Sequence, residues 1–333
     1  MIITRTPLRV SFAGGGTDLP AFYEREPGAV VSTAVNRYVY VFAHPFFSDH
    51  IQLKYAETET VSSLDEIRMP VFREALRLFG IHRKIELGIV ADLPKEGGSG
   101  LGGSTAFSVG LLHALSQYTG RPLSNFEIAT RACELELSIL RNPIGKQDQF
   151  ASAMGGLNYI QFNPDGTVVV DPIYLRPAAR ADLASRLLMF YTGLTRDART
   201  ILSDQQRRMV SDAESFAAHL RMRDLARELR DRLRKNDVDS LGALLHAGWQ
   251  LKRNLADGIS SDRIDEWYEK ALAAGAEGGK LLGAGGGGFL LLCCRPDRHA
   301  RVRAALSELR EFPIELEPQG TRLILTESRE ELP

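Results

Sequence analysis

Cysteine is scarce in this chain: 3 of 333 residues, at Cys133, Cys293 and Cys294. The count is odd and no pair has CxxC spacing. That argues against a disulfide framework or a zinc site and for a reducing compartment. Long apolar runs are missing too. The longest near-apolar stretch, residues 281–294, is broken by glycines and is shorter than the ~20 residues a membrane span needs. The first residues, MIITRTPLRVSF, hold no charged region followed by an apolar run and a small-residue cleavage site, so a cytoplasmic protein is expected. Nor does one sign of charge dominate. With 41 basic and 42 acidic residues the formal net charge is -1, which excludes the global basic field of a nucleic-acid or anionic-membrane binder. The seven histidines include no HExxH or other metal spacing and read as structural or surface residues.

What is present is a chain that can build real cores. At 333 residues, 44% of them hydrophobic, two domains are the expectation. Residues 2–13, 29–35, 38–42, 84–90, 157–162, 168–173 and 187–191 are β-branched, aromatic or apolar runs and predict strands. Residues 64–79, 103–118 and 125–140 carry apolar positions at helical spacing. The stretch 180–183 follows Pro177 and is a place for a domain change, dividing 1–180 from 181–333. From 196 to 255 the pattern is helical, and its arginines alternate with acids as on a solvated face. Trp249 and Trp267 lie in helical patterns and read as packing residues, and the Cys293–Cys294 pair reads as core. The chain closes with a strand at 288–293, a helix at 297–309 and strands at 314–317 and 322–326. This irregular mixture predicts an α+β fold.

Glycine is concentrated. Of 30 glycines, 16 fall in the segments 14–16, 97–103 and 275–288. Clusters that cost this much chain entropy need a reason, with plain turns as the alternative. The middle cluster runs Pro94 to Ala106, after a strand and before a helix. Bare backbone there can wrap phosphates, with its N–H groups and the positive end of the following helix facing the charge. Ser104 and Thr105 at the helix entry could cap it or reach a metal or phosphate. Gly98, Gly100 and Gly103 match a dinucleotide fingerprint, but that motif wants an acid ~20 residues on. Positions 116–123 hold none, and Ser104 stands where a Walker A loop needs lysine.

Four motifs in order now come together. They are 7–18 (PLRVSFAGGGTD), the middle loop, 134–149 (ELELSILRNPIGKQDQ) and 278–289 (GGKLLGAGGGGF). In this set the chain resembles the galactokinase–homoserine kinase–mevalonate kinase–phosphomevalonate kinase (GHMP) superfamily. The resemblance implies a two-domain GHMP kinase fold, with an N-terminal ribosomal-protein-like half and a C-terminal ferredoxin-like half. It implies ATP and Mg²⁺ as cofactors, with Gly97, Gly98, Ser99, Gly100, Leu101, Gly102, Gly103, Ser104 and Thr105 around the nucleotide phosphates. Ser104 takes the position associated with magnesium. Glu136 best matches the metal-ligating glutamate, with Glu134 as runner-up. Asp148 falls on the family's catalytic aspartate and Arg9 on its basic residue.

On the acceptor side the resemblance implies Gly15, Gly16, Thr17, Asp18, Asp148, Gly285 and Gly286 as substrate contacts. Where sugar kinases usually carry Gly-Glu-His, this chain has Gly14-Gly15-Gly16, which argues against galactose itself. The runs FAGGGTDLP, NPIGKQDQFASAMGG, YTGLTRDA and GGKLLGAGGGGF are most similar to those of the D-glycero-D-manno-heptose 7-phosphate kinases. That implies phosphorylation of an anomeric hydroxyl to a 1,7-bisphosphate. A sugar phosphate needs cationic contacts, for which Arg196, Lys146 and Lys280 are candidates. A kinase of another sugar, fucose-like or a hexose, and a ligand-sensing protein without catalysis remain as alternatives. A homodimer is left open.

Overall fold

The protein is described by a computed structural model covering residues 1–93, 100–195 and 197–326. In chain order its strands are β1 (Ile2–Ala13), β2 (Gly28–Pro45), β3 (Ile51–Lys54), β4 (Thr58–Val61), β5 (Ile85–Ala91), β6 (Leu157–Phe162), β7 (Val168–Pro172), β8 (Leu187–Tyr191), β9 (Gly278–Leu281), β10 (Phe289–Cys293), β11 (Arg310–Glu311) and β12 (Arg322–Thr326). Its helices are α1 (Pro20–Tyr23), α2 (Pro70–Leu78), α3 (Gly103–Tyr118), α4 (Asn125–Cys133), α5 (Gln147–Met154), α6 (Pro177–Ser185), α7 (Ala198–Ser211), α8 (Ala213–Arg234), α9 (Leu241–Lys252), α10 (Asp262–Ala274) and α11 (His299–Ala305).

Two sheets organise these elements. The first runs β12-β1-β2-β5-β3-β4, with β6 on β2 and β7 on β6; the second runs β11-β8-β10-β9. The α+β expectation stands. The two strands expected at 29–35 and 38–42 are one strand with a step in it. Pro7 faces Tyr38 while Leu8 faces Val35, so Asn36 and Arg37 are absorbed in a bulge. On either side of the step β2 serves different neighbours, β6 before it and β5 after it.

Other departures have local causes. The helix expected over 64–79 starts only at Pro70, whose missing N–H and fixed φ suit a first turn. The helix expected over 125–140 changes at Glu134 into a π-helical turn, in which the Leu140 N–H reaches back to the Leu135 carbonyl. The strand expected at 314–317 is reduced to one bridge, Val35 to Leu316, between Pro313 and Pro318, which lack the N–H a ladder needs. Residues 322–326, grouped by pattern with the second half, instead pair with Ile2–Arg5 of β1. The strand β1 has a row of backbone groups on that edge, and β12 satisfies them.

Helix α3 follows the middle glycine cluster. It is buried from Thr105 to Ser116 and lies on β1 and β2. A Cβ on Gly110 would meet the Thr6 hydroxyl at 2.8 Å, so the missing side chain lets helix and sheet touch. Thr4 donates to the Gly110 carbonyl at 2.9 Å. With Leu111, Leu112 and Leu115 fully buried, at about 1.5–3 kcal/mol each, the start of α3 is held in place. Trp249, Trp267, Cys293 and Cys294 all lie in buried clusters, in line with the sequence reading. Among the described residues no helix is long and apolar enough to cross a membrane.

Candidate active site

Arg9 projects from the middle of β1 and is only 5% exposed. Its guanidinium forks onto Asp148: Nε donates to Oδ1 at 2.6 Å and Nη2 to Oδ2 at 2.7 Å. The third arm, Nη1, donates to the Gly100 carbonyl at 2.6 Å. Asp148 sits in the first turn of α5, where the helix dipole favours a carboxylate. A two-pronged, charge-assisted pair fixes both partners in direction as well as distance.

The start of α3 closes on this pair. Its N-cap, Gly102, has φ of 73°, and a Cβ there would stand 3.3 Å from Asp148 Oδ2 and 3.4 Å from Arg9. Behind it, two glycine-rich segments meet backbone to backbone. A methyl on Gly100 would lie 2.6 Å from the Leu282 carbonyl, and one on Gly283 would lie 2.4 Å from the Gly100 Cα. Both glycines have φ near the left-handed region, 73° and 70°, where other residues are strained. The loop after β9 therefore braces the loop before α3.

The opposite wall is polar and acidic. Asp18 is 2% exposed and accepts from Gly16 N at 3.0 Å, Gln147 N at 3.2 Å and Gln147 Nε2 at 2.9 Å. Burial raises its pKa above the usual carboxylate value, and the nearby Asp148 adds to the rise. Gly145 makes this arrangement fit, since a Cβ would overlap Asp18 Oδ2 at 1.9 Å. Gly145→Ala should push Asp18 off its donors, at about 1–3 kcal/mol of stability. The melting temperature measures the loss, and a variant as stable as the parent would mean that Asp18 keeps its donors.

One further side chain reaches the cavity from α7. Gln205 is 3% exposed and its Nε2 lies 2.8 Å from His219 Nε2. Burial holds His219 at a pKa of about 4, so the ring is neutral. Its Nδ1 must carry the proton, because it faces the Ser215 carbonyl at 2.7 Å. His219 Nε2 is then an acceptor, and the Gln205 amide nitrogen donates to it. The Gln205 carbonyl is left with no partner among the described residues. Together these walls enclose a cavity of about 340 Å³ that Ser104, Gly283 and Ala284 also line.

This arrangement of elements recurs in known proteins. Residues 68–156 match the GHMP kinases N terminal domain, and residues 229–311 match the GHMP kinases C terminal domain. The chain belongs to the GHMP kinases. It is similar to the D-glycero-alpha-D-manno-heptose 7-phosphate kinase of Campylobacter jejuni, 28% identical over 317 residues, which take in 92% of this chain and 93% of that one. It is similar also to the galactokinase of Pyrococcus furiosus, at 25% identity with 93% of both chains covered. In fold it matches a crystal structure of a D-glycero-D-manno-heptose 1-phosphate kinase from Bacteroides thetaiotaomicron, with a TM-score of 0.80 and 24% identity over 98% of this chain and 100% of that one.

As a GHMP kinase the protein is a phosphotransferase, and its sequence-expected residues can be located. Arg9, Gly15, Gly16, Asp18, Gly100, Gly102, Gly103, Ser104, Thr105 and Asp148 line one cavity. Leu101 is fully buried beneath it. Thr17 turns away: its hydroxyl lies 2.8 Å from the Gly14 carbonyl and 3.0 Å from the Ala29 carbonyl, donates its one proton to either, and accepts from Ala29 N. Gly285 and Gly286 do not line the cavity either. They pack on Ile259, whose carbonyl accepts from Gly286 N at 2.9 Å. Lys280 is on the cavity wall, whereas Lys146 binds the Gly166 carbonyl and lies over the Tyr23 ring. Gly97, Gly98, Ser99 and Arg196 fall outside the described residues.

The two candidate glutamates part company. Glu134 is half exposed and pairs with Arg131 on the surface. Glu136 is 3% exposed and accepts from Ser108 Oγ at 3.0 Å and Gln149 Nε2 at 2.7 Å. Burial is the main cause that lifts its pKa to about 7. Gln205 and Lys252 were missed by sequence reasoning, since both lie in helical stretches with no motif around them.

Proposed function

We propose that this GHMP kinase transfers the γ-phosphoryl group of ATP to the anomeric hydroxyl of D-glycero-D-manno-heptose 7-phosphate, giving the 1,7-bisphosphate. The Arg9–Asp148 fork, set directly against the N-cap of α3, carries the phosphoryl-transfer part of the reading, and the similarity to the Campylobacter jejuni heptose 7-phosphate kinase supports the acceptor. A phosphate at that helix start meets free N–H groups of the first turn and the positive end of the dipole. Asp148 then lies beside the phosphate, oriented to accept the proton of an attacking hydroxyl. As that oxygen bonds to phosphorus, the bond to the bridging oxygen of ADP breaks. Arg9 would stabilise the charge on the transferring group.

Asp18, Gln147 and Gln205 supply acceptors and donors for sugar hydroxyls. Gly16 adds room, since a side chain there would collide with Gln205 Nε2 at 2.6 Å. That is the physical sense of glycine where sugar kinases usually carry a larger residue. The half up to residue 180 brings the phosphate loop and Asp148 in this reading, and the half from 181 brings the Lys280–Ala284 wall.

Glu136 lies off the cavity lining, behind Ser108 and Gln149, and its chemistry suits Mg²⁺. Glu136 is a buried carboxylate with no basic side chain among the causes acting on it, and oxygen donors suit a hard cation. Ser104 and Glu136 are the residues that would hold it, with Glu136 released from Ser108 or Gln149 to do so. When bound, the ion would neutralise charge on the nucleotide phosphates.

The test is ADP release with Mg²⁺-ATP across sugars and sugar phosphates, including D-glycero-D-manno-heptose 7-phosphate. Selective turnover of that compound is expected, with one new phosphate on the anomeric oxygen by NMR. Turnover of a fucose-like sugar or a hexose instead would discard the heptose assignment and keep the mechanism.

A further inference from the structure

Two lysines on the cavity wall have no role in the mechanism above. Lys280, on β9, is 6% exposed, and Lys252, at the end of α9, is 7% exposed. Among the described residues neither is paired with a carboxylate. The groups acting on Lys252 are Lys280 and Arg9, and the group acting on Lys280 is Arg9, all of them basic. Taking an ammonium out of water costs several kcal/mol even after relaxation, so the cluster calls for an anion.

The lysines differ in how they are held. Lys252 Nζ donates to the Leu281 carbonyl at 3.0 Å and the Gly283 carbonyl at 2.5 Å, which ties down the loop after β9. Lys280 Nζ has only the Phe12 carbonyl, at 3.5 Å, the outer limit of a hydrogen bond. Its other N–H groups have no partner among the described residues. A second observation points the same way. Ser11 lies two residues beyond Arg9 on β1, is 7% exposed and lines the cavity, and its hydroxyl has no hydrogen-bond partner among the described residues. A buried hydroxyl is rarely left unpaired. Ser11, Lys280 and Lys252 thus add donors to the cavity beside the Arg9–Asp148 pair.

We propose that Ser11 and Lys280, with Lys252 behind them, form a binding wall for a phosphate dianion. Its source is either the phosphoryl group in transfer or a phosphate ester carried by the acceptor. The inference rests on the kinase reading of the same cavity. Burial and Arg9 push Lys280 down to about 7, and a dianion against it would restore the ammonium.

The experiment compares the full chain with Lys280→Met and Ser11→Ala. Methionine keeps the apolar stem, and replacing a buried charge by an apolar group is often tolerated. In a first arm, inorganic phosphate is titrated at constant ionic strength and the melting temperature is read. Stabilisation of the parent protein that is lost in both variants is expected; equal stabilisation of parent and variants, or none in the parent, overturns the proposal. This arm needs no sugar, so it stays readable if no sugar is turned over and the kinase reading fails.

A second arm measures turnover of the heptose with and without its 7-phosphate. An acceptor-phosphate site predicts that Lys280→Met raises KM by about 10- to 100-fold for the phosphorylated sugar alone. A site for the transferring group predicts the same loss in kcat for both sugars at unchanged acceptor KM. Unchanged kinetics in both variants would overturn both.

Discussion

Asp148→Ala is expected to lower kcat by about 10³-fold or more, within or above the range for losing a positioned proton acceptor. Nucleotide affinity should change by less than about threefold, because α3 and its first turn do not depend on the Asp148 side chain for their hydrogen bonds. The carboxylate is held by Arg9 through two bonds of 2.6 and 2.7 Å, so it cannot swing toward a second partner without breaking a fork. Asp148→Asn separates two roles. If the group takes the proton, asparagine should be nearly as slow as alanine. If it mainly aims the hydroxyl, asparagine should recover a large part of the rate, since phosphoryl transfer can proceed with late deprotonation. Single-turnover rates with bound Mg²⁺-ATP decide between them, and near-normal turnover of the alanine variant would remove Asp148 from the mechanism.

Arg9→Met should cost about 10²- to 10³-fold in kcat, the range for losing one preorganised charge-stabilising donor. Two consequences arise together. The transferring phosphoryl group loses its cation, and Asp148 loses the fork that orients it. A third is structural: the Gly100 carbonyl loses its partner at the point where the loop before α3 meets the loop after β9. Arg9→Lys keeps a charge but cannot reach both carboxylate oxygens and the Gly100 carbonyl together. It should therefore fall between the parent protein and methionine. Steady-state kinetics with saturating nucleotide provide the measurement. A loss confined to acceptor KM would mean that Arg9 acts on binding and not on the reacting phosphate.

Much of the site was legible because motifs are local. Gly100, Gly102 to Thr105, Asp18, Asp148 and Arg9 stand in short runs whose composition is unusual, and the structure brings them to one cavity. The choice between Glu134 and Glu136 was legible only as a preference, because both lie in the π-turn that starts at Glu134 and breaks the regular helical spacing. Burial separates them, and burial is a property of the packed chain. Thr17 shows the reverse error. Its place inside a motif suggested a substrate contact, yet its hydroxyl is consumed by the turn from Gly14 to Ala29.

The amino-acid order alone was enough to set β1, β6, β8, β12 and α3, whose observed limits coincide with the expected ones. Periodicity and turn residues act over a few positions, so they are readable without knowing the fold. Tertiary structure decided what lies far apart in sequence. It set Arg9 against Asp148 across 139 positions and brought β12 to the free edge of β1. It also turned Gln205, Lys252 and Lys280 into one cavity. A glutamine or lysine in an arginine-rich helical stretch has no local signature. Only packing determines whether its polar end meets water or is trapped beside a vacant acceptor or an uncompensated charge.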